Sequence, residues 1–547
     1  MNGALQPPAG AAGATLRGRS VALATLCVVL FLTFLDTTIV SVALADIQTT
    51  LHAGVSALQW VVGAYALTFA SAMLIFGMVG DQFGRKRVML IGVGVYCLGA
   101  VVTALSDTIA PGAAIAVLLT GRAVMGLGAA ASEPGTLSML RHLYPEARSR
   151  NWALGVWAAV SGLSLALGPV LGGALVGIWG WHAIFWFDVV IGVAAFIATV
   201  IVLPENADPD PRRIDIAGAV LGAAALAALI FAVIDAETAG FGSPVVISLL
   251  GLSLVCVAAF LLRERRAEHP LLDLRFLRVP RFAIPNIVAF CAYFATFAIF
   301  FFTALYLTEV ASFTGYQIAE VFLPMTALMI VASLLAGRWT GAVGARWSLF
   351  GGSAIFAAGL ILTDATISPS PAFLPLALAL ALTGIGIGAC VVPITSSVLA
   401  AVPPERSGMA ASATNTSREI GAVIGVAVLG ALVNGQLHAN LSARLTHLGV
   451  PTTFQSIVIQ ALETGGVPSN GNSSSQAPPG EGKLVQEVIH AAYAAFQSGL
   501  HVALYLSAGL MAAVAILALV GLRGQHRPPA APQHRGAEAT AAGPPGG

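Results

Sequence analysis

Apolar stretches of roughly 18–26 residues recur from one end of the chain to the other, each long enough to cross about 30 Å of hydrocarbon as a helix. They fall near 21–45, 57–76, 88–106, 113–135, 152–177, 182–203, 215–234, 244–262, 283–308, 317–336, 347–364, 373–396, 410–433 and 499–521. In lipid, helices and closed barrels alone satisfy the backbone, and runs of this length without alternation exclude a barrel. Composition points the same way: of 547 residues, 57% are hydrophobic and 9% charged, against roughly a quarter charged in soluble domains. The expectation is an all-α, polytopic membrane protein with about fourteen transmembrane helices. The first stretch is too long for the apolar core of a cleaved signal and contains Asp36, so it reads as an uncleaved span.

Basic residues set the orientation. With loops counted alternately from the N-terminus, 22 of the 26 Lys and Arg fall on one side, Arg444 and Lys483 fall on the other, and Arg122 and Arg418 lie within spans. A miscounted helix would scatter these charges, so the bias predicts that both termini are cytoplasmic. A net charge of +1 gives no footprint for nucleic acid. The five cysteines sit inside apolar runs without CxxC spacing and read as small buried hydrophobes, with no metal site.

The expected layout begins with a cytoplasmic tail, 1–20, and a six-helix bundle, 21–203. Residues 204–282 hold two extra helices with cytoplasmic loops. A second six-helix bundle, 283–521, contains a long external loop, 435–498, and the chain ends in a disordered cytoplasmic tail, 522–547. The Gly/Ser/Asn/Pro-rich centre of the long loop is also expected to be disordered. A faint repeat supports two related halves: Gly77, Gly84 and Lys86 recur as Gly337, Gly344 and Arg346, each 260 residues on. Parallel repeats separated by two extra helices produce that offset.

Four segments carry recognisable motifs: LDTTIVSVALADI (35–47), GMVGDQFGRKR (77–87), LLTGRAVMGLGAAA (118–131), and the glycine pattern of the fifth stretch at Gly155, Gly168, Pro169, Gly172 and Gly173. On these residues the sequence resembles the major facilitator superfamily, and within it the fourteen-helix drug:proton antiporters of the EmrB/QacA type. The resemblance implies that Asp36 is the acid of the first helix and Arg122 the membrane-embedded arginine of the fourth. It makes Gly77, Asp81, Gly84, Arg85, Lys86 and Arg87 a cytoplasmic gate loop. The fifth-helix glycines become a flexible interface between halves that biases the protein toward export from the bacterial plasma membrane. Gln82, Ser164 and Met125 depart from the usual basic residue, glycine and glutamine of these motifs, and none removes a charged position.

Independently of resemblance, a charge at the bilayer centre costs roughly 2.5–3.5 kcal/mol, so such residues face a cavity and pair. Asp36 and Arg122 lie at similar depths of antiparallel spans, which allows contact, and an acid whose environment changes can load a proton on one side and release it on the other. Glu133 lies about three turns beyond Arg122 on the same helical face. It reads as a second proton site, a counter-charge for a cation, or a structural carboxyl. Asp188, Arg418 and Glu419 are candidates for a transport cavity, with local hydrogen bonding as the alternative.

No phosphate-binding G-x-x-x-x-G-K-[ST] loop occurs, so the expected energy source is a proton gradient without ATP or any cofactor. The histidines lie mostly in loops and tails without HExxH or GxSxG patterns, which argues against an enzyme. The function expected is proton-coupled efflux of hydrophobic or amphipathic drugs and toxic compounds. The partners expected are small molecules, protons and the bilayer, with no nucleic acid, acting as a monomer. The alternative is a dedicated exporter of one endogenous metabolite, lipid or antibiotic.

Overall fold

The computed structural model describes residues 16–523 apart from 54, 206–214, 268–272, 312, 314, 404–405 and 448–481. Every regular element among the described residues is helical. The long ones are α1 (Leu16–Leu51), α2 (Val55–Phe83), α3 (Arg85–Ala104), α4 (Ala114–Leu143), α5 (Ala147–Trp179), α6 (His182–Val202), α7 (Ile216–Ala239) and α8 (Pro244–Arg266). They continue as α9 (Pro280–Phe297), α10 (Gly315–Thr366), α11 (Phe373–Ala400), α12 (Ser407–His447) and α13 (Gly482–Gly521). After Phe297 the chain passes through a π-helical turn, Ala298–Thr303, into the short helix Ala304–Glu309. Ten of the described helices are long and apolar enough to cross a membrane, and eleven if the bent α2 counts as one span. The chain is a multi-pass membrane protein.

Several helices overrun the apolar stretches that predicted them. α12 reaches His447 and α13 starts at Gly482, so the expected loop 435–498 is helical at both ends. Hydropathy marks where a helix leaves hydrocarbon, whereas the backbone ladder continues past that boundary until the sequence stops it. α1 likewise begins inside the expected tail. The glycine- and serine-rich centre of the loop lies outside the described residues, as do residues 1–15 and 524–547 of the expected tails.

Two groups of helices pack around core clusters, one of which also takes in Tyr293, Ala336, Val392 and Ala422 across the boundary between them. Leu26, Met89, Leu140 and Trp157 in one cluster, and Leu35, Tyr65, Tyr96 and Phe185 in its neighbour, knit α1–α6. Val288, Phe356, Leu380, Leu429 and Leu504 knit α9–α13. The most apolar window of α11 is 78% buried and that of α8 only 22%, so α11 runs through the interior while α8 stands at the lipid-facing rim. α7 pairs with α8 and also packs on α2 and α12, with Trp60 of α2 set 4.6 Å from Phe231 of α7.

The repeat is visible in the backbone. Gly84, between α2 and α3, has φ +105°, and Gly344, inside α10, has φ +83°. Both are left-handed conformations that side-chain-bearing residues avoid, and they stand at corresponding positions of the 260-residue offset. Gly344 thereby divides α10 into two arms matching two of the expected spans.

Candidate functional site

α2 and α4 approach closely at Gly126, where an added Cβ would sit 2.5 Å from the Tyr65 carbonyl oxygen. That approach lays the Tyr65 ring 4.7 Å from the Arg122 guanidinium. Arg122 Nη1 donates to both carboxylate oxygens of Asp36 on α1, at 2.6 and 2.8 Å, and its Nε donates to the Val61 carbonyl at 2.8 Å. Both side chains are sealed from solvent, at 1% and 0% exposure. Met125, at one of the motif departures, places its sulfur 3.9 Å from Arg122 Nη1. Asp188 of α6 lies beside Tyr96 of α3 and within electrostatic range of Asp36 and Arg122, and among the described residues neither Asp188 oxygen meets a donor in hydrogen-bond geometry.

Glu133 belongs to a different charge group. It follows Arg122 by eleven residues, about 16 Å of helix, and it is buried within electrostatic range of Arg418 and Glu419 on α12. Arg418 donates to Asn415 Oδ1 at 3.2 Å and to Thr395 Oγ1 of α11 at 2.8 Å. The rings of Trp157 (α5) and Tyr293 (α9) each lie 5.4 Å from its guanidinium. Thus one helix group supplies Glu133 and Trp157, and the other supplies Arg418, Glu419 and Tyr293. No described ion pair links Arg418 to either carboxylate, and among the described residues Arg418 Nε, Asn415 Nδ2 and Glu133 Oε2 meet no hydrogen-bond partner.

The 77–87 segment joins the two groups. Asp81, at the end of α2, lies against the first turn of α12, close to the backbone N–H groups of Gly408 and Met409. A helix N-terminus exposes unsatisfied N–H groups and favours an anion there. A Cβ at Gly408 would land on the Asp81 carboxylate, and one at Gly77 would strike Ser412. Arg85 bridges, with Nε 2.9 Å from Asp81 Oδ1 and Nη2 3.0 Å from Ser407 Oγ. Arg141 adds a bond to the Val402 carbonyl at 3.1 Å. Lys86 and Arg87 turn outward instead, the Lys86 backbone N–H donating to Glu205 at 3.2 Å and Arg87 lying 3.5 Å from the same carboxylate. At the position 260 residues after Asp81 stands Gly341.

The fifth-helix glycines serve two faces. A Cβ at Gly155 would lie 2.8 Å from the Ser333 carbonyl of α10, across the groups, whereas Gly168 fits against Thr38 and Gly172 against Ile39, both on α1. The expected interface between halves is therefore carried by Gly155, while Gly168 and Gly172 pack within their own group. Nothing lies within 4 Å of the Gly173 Cβ position, and Pro169 lies within α5. Among the described residues no three His, Cys, Asp or Glu side chains could hold a metal ion together.

Tyr65, Trp157, Tyr293, Thr395 and Asn415 were not readable as site residues from sequence. Aromatic and small polar residues in apolar helices look like packing until the charge beside them is placed.

Paired helix groups around intramembrane charges define a membrane transporter fold. Solved structures of that fold include the human organic anion transporter TETRAN (TM-score 0.56, 16% identity, 92% of this chain and 100% of that chain). Another is a bacterial homolog of the human lysosomal transporter Spinster (TM-score 0.58, 17% identity, 94% and 100%). The Major Facilitator Superfamily model matches residues 26–426, and the chain belongs to that family. Relatives include the multidrug resistance protein Stp of Mycobacterium tuberculosis, 33% identical over 79% of each chain. The methylenomycin A resistance protein of Bacillus subtilis is 33% identical over 73% of this chain and 84% of that one. The tetracenomycin C resistance and export protein of Streptomyces glaucescens is 29% identical over 96% of both.

Proposed function

We propose that this chain is a proton-coupled efflux transporter of hydrophobic or amphipathic drugs and toxic compounds, working by alternating access in the bacterial plasma membrane. The observation that carries the reading is the sealed Asp36–Arg122 pair, with Nη1 2.6 Å from Oδ1. Charges so deep in a membrane protein are costly unless they pair or work, and a proton on Asp36 cancels the charge that holds Arg122. Proton loading and substrate binding that favour opposite faces are sufficient for antiport through mutual exclusion. Glu133 is a second acid available to the cycle, and Asp188 lies close enough to feel the charge of Asp36.

In this reading the chain crosses fourteen times, with bundles 21–203 and 283–521 flanking the extra pair in 204–282. The end bearing Arg85, Arg141, Arg346 and Arg406 is cytoplasmic, as are both termini. Asp81 on the first turn of α12 holds that end shut, and its release admits substrate. The protein works as a monomer, without cofactor or ATP. Names of relatives such as the multidrug resistance protein Stp support drug efflux. A dedicated antibiotic exporter is the second reading, favoured by the match over 96% of both chains to a tetracenomycin C resistance and export protein.

Purified protein in liposomes, with an imposed pH gradient, tests the coupling. The expected result is uphill substrate movement that collapses with the gradient, and proton release on substrate addition. Transport indifferent to the pH gradient would overturn proton antiport. A drug-susceptibility panel on deletion and overexpression strains separates the two substrate readings: broad shifts mark multidrug efflux, and one compound marks dedicated export.

A further inference from the structure

Ahead of α9 lies a short segment whose backbone turns every three residues. The Phe276 N–H donates to the Asp273 carbonyl, that of Arg278 to Arg275, that of Val279 to Phe276 and that of Phe282 to Val279. Three residues per turn bring side chains at i and i+3 nearly into line, so residues 273–282 carry three stripes. The inward stripe is Phe276 and Phe282, their rings 5.8 Å apart, with Val279 at its rim. Phe282 is buried among Val398 and Leu399 at the end of α11 and Met409 and Ala410 in the first turn of α12. Arg406, just ahead of α12, holds the segment from the same side. It donates to Asp273 Oδ2 at 2.6 Å, and its guanidinium lies 5.7 Å from the Phe276 ring. The second stripe is Arg275, Arg278 and Arg281, all exposed. The third is Leu274 and Leu277; Leu277 is 43% exposed and Val279 beside it 36%.

Asp273 is the one acid in residues 273–282. It faces Arg406 closely and Arg275 at 3.8 Å, so its single charge answers one guanidinium among four. The segment also stands where helices enter the apolar layer: α9 begins at Pro280, α11 ends at Ala400 and α12 begins at Ser407. A row of arginines beside exposed aliphatic side chains at that level is the pattern of an element lying in a membrane interface. We propose that residues 274–281 bind the anionic headgroup of a phospholipid, with Arg275 and Arg278 on its phosphate and Leu277 and Val279 against the start of its acyl chains. An arginine fork meets phosphate oxygens two at a time. A soluble anion would leave the aliphatic side chains in water, and a zwitterionic lipid brings a cation of its own that the arginines repel. Because the inward stripe packs on Met409 and Ala410, a bound lipid braces the same turn of α12 that Asp81 lies against.

Native mass spectrometry of the purified full chain, released from detergent micelles doped with equal amounts of phosphatidylglycerol and phosphatidylethanolamine, tests the site. Wild type is expected to retain phosphatidylglycerol over phosphatidylethanolamine by roughly tenfold. Arg275→Gln with Arg278→Gln should weaken phosphatidylglycerol retention roughly 25-fold, about fivefold per arginine, and leave phosphatidylethanolamine unchanged. Arg265→Gln with Arg266→Gln removes the same charge from the exposed end of α8 and should keep the wild-type preference. Equal losses in the two pairs would reduce the effect to diffuse attraction and overturn the site, as would undiminished retention in the first pair. Glycerol phosphate, a headgroup without chains, should fail to displace the lipid at matched concentration; full displacement would make this a site for soluble anions and overturn the lipid assignment. Should the arginine pair fold poorly, Leu277→Ser tests the aliphatic row alone. Its phosphatidylglycerol retention should fall several-fold at an unchanged melting temperature, and wild-type retention there would sink the proposal.

Discussion

Two buried charge centres sit in this molecule, and they are built in opposite ways. At Asp36 and Arg122 the charges meet at 2.6 Å, inside one helix group, with a carbonyl and an aromatic ring completing the arginine's surroundings. At Glu133, Arg418 and Glu419 the charges stay apart, and the partners come from both groups. A closed pair within one rigid unit is insensitive to how the halves are arranged and responds to a proton. An open centre shared between units changes its spacing whenever the halves move and responds to whatever fills it. In the proposed function the closed centre is the one suited to coupling, because a proton on Asp36 is enough to break its pair.

The largest effect expected is at Asp36. Asp36→Asn keeps the shape but cannot titrate, so gradient-driven accumulation in liposomes should fall to the leak rate while downhill movement of an uncharged substrate persists. Glu133→Gln should leave accumulation dependent on the gradient; a loss as complete as that of Asp36→Asn would erase the distinction between the centres. Next comes Arg122→Lys, which retains the charge but loses the Val61 bond and the guanidinium face over Tyr65. Turnover should drop roughly tenfold, the worth of about 1.5 kcal/mol for one charged hydrogen bond. An unchanged turnover would mean that the geometry of the pair is immaterial.

Asp81→Asn should slow transport several-fold without loss of folding, in line with about 1 kcal/mol for a carboxylate at a helix N-terminus. Spin labels on α2 and α12 should report a larger open fraction at the basic end. Wild-type transport and distances in that variant would reduce the loop to a topology anchor. The smallest effect separates the repeated loops. Gly344→Ala forces a side chain into φ +83° and should lower the melting temperature in detergent, at about 1–2 kcal/mol. Gly341→Ala, with nothing within 4 Å of its Cβ position, should melt like wild type.

Much of this was legible in the sequence, for physical reasons. Hydrophobic length announces a span without any knowledge of packing, and an Asp or Arg inside a span announces a site because lipid penalises it. Asp36 and Arg122 could even be matched in depth by counting residues. Counting also put Glu133 about three turns along α4 from Arg122, but it could not name the surroundings there, Arg418 and Glu419 of α12, which come from far along the chain. Helix ends were misjudged at α12 and α13 because hydropathy marks the lipid boundary and not the end of the backbone ladder. The aromatic walls of Arg418 were hidden because Trp157 and Tyr293 come from helices far apart in sequence, and nothing local distinguishes them from core residues. Asp81 stood out in the sequence, but what it lies against, the backbone of Gly408 and Met409, has no side-chain signature at all.

α7 touches α2 of one helix group and α12 of the other, so it lies like a batten over the crack between two boards. Any rocking that parts α2 from α12 must slide along that batten or peel one side away from it. Sliding exchanges one greasy contact for another at little energetic penalty, while peeling exposes both surfaces to acyl chains. Friction at this seam thus depends on residues such as Trp60 and Phe231 that lie outside both charge centres. Where α7 rests on both helices it also covers the seam, so a greasy molecule wandering in from the side meets a wall there.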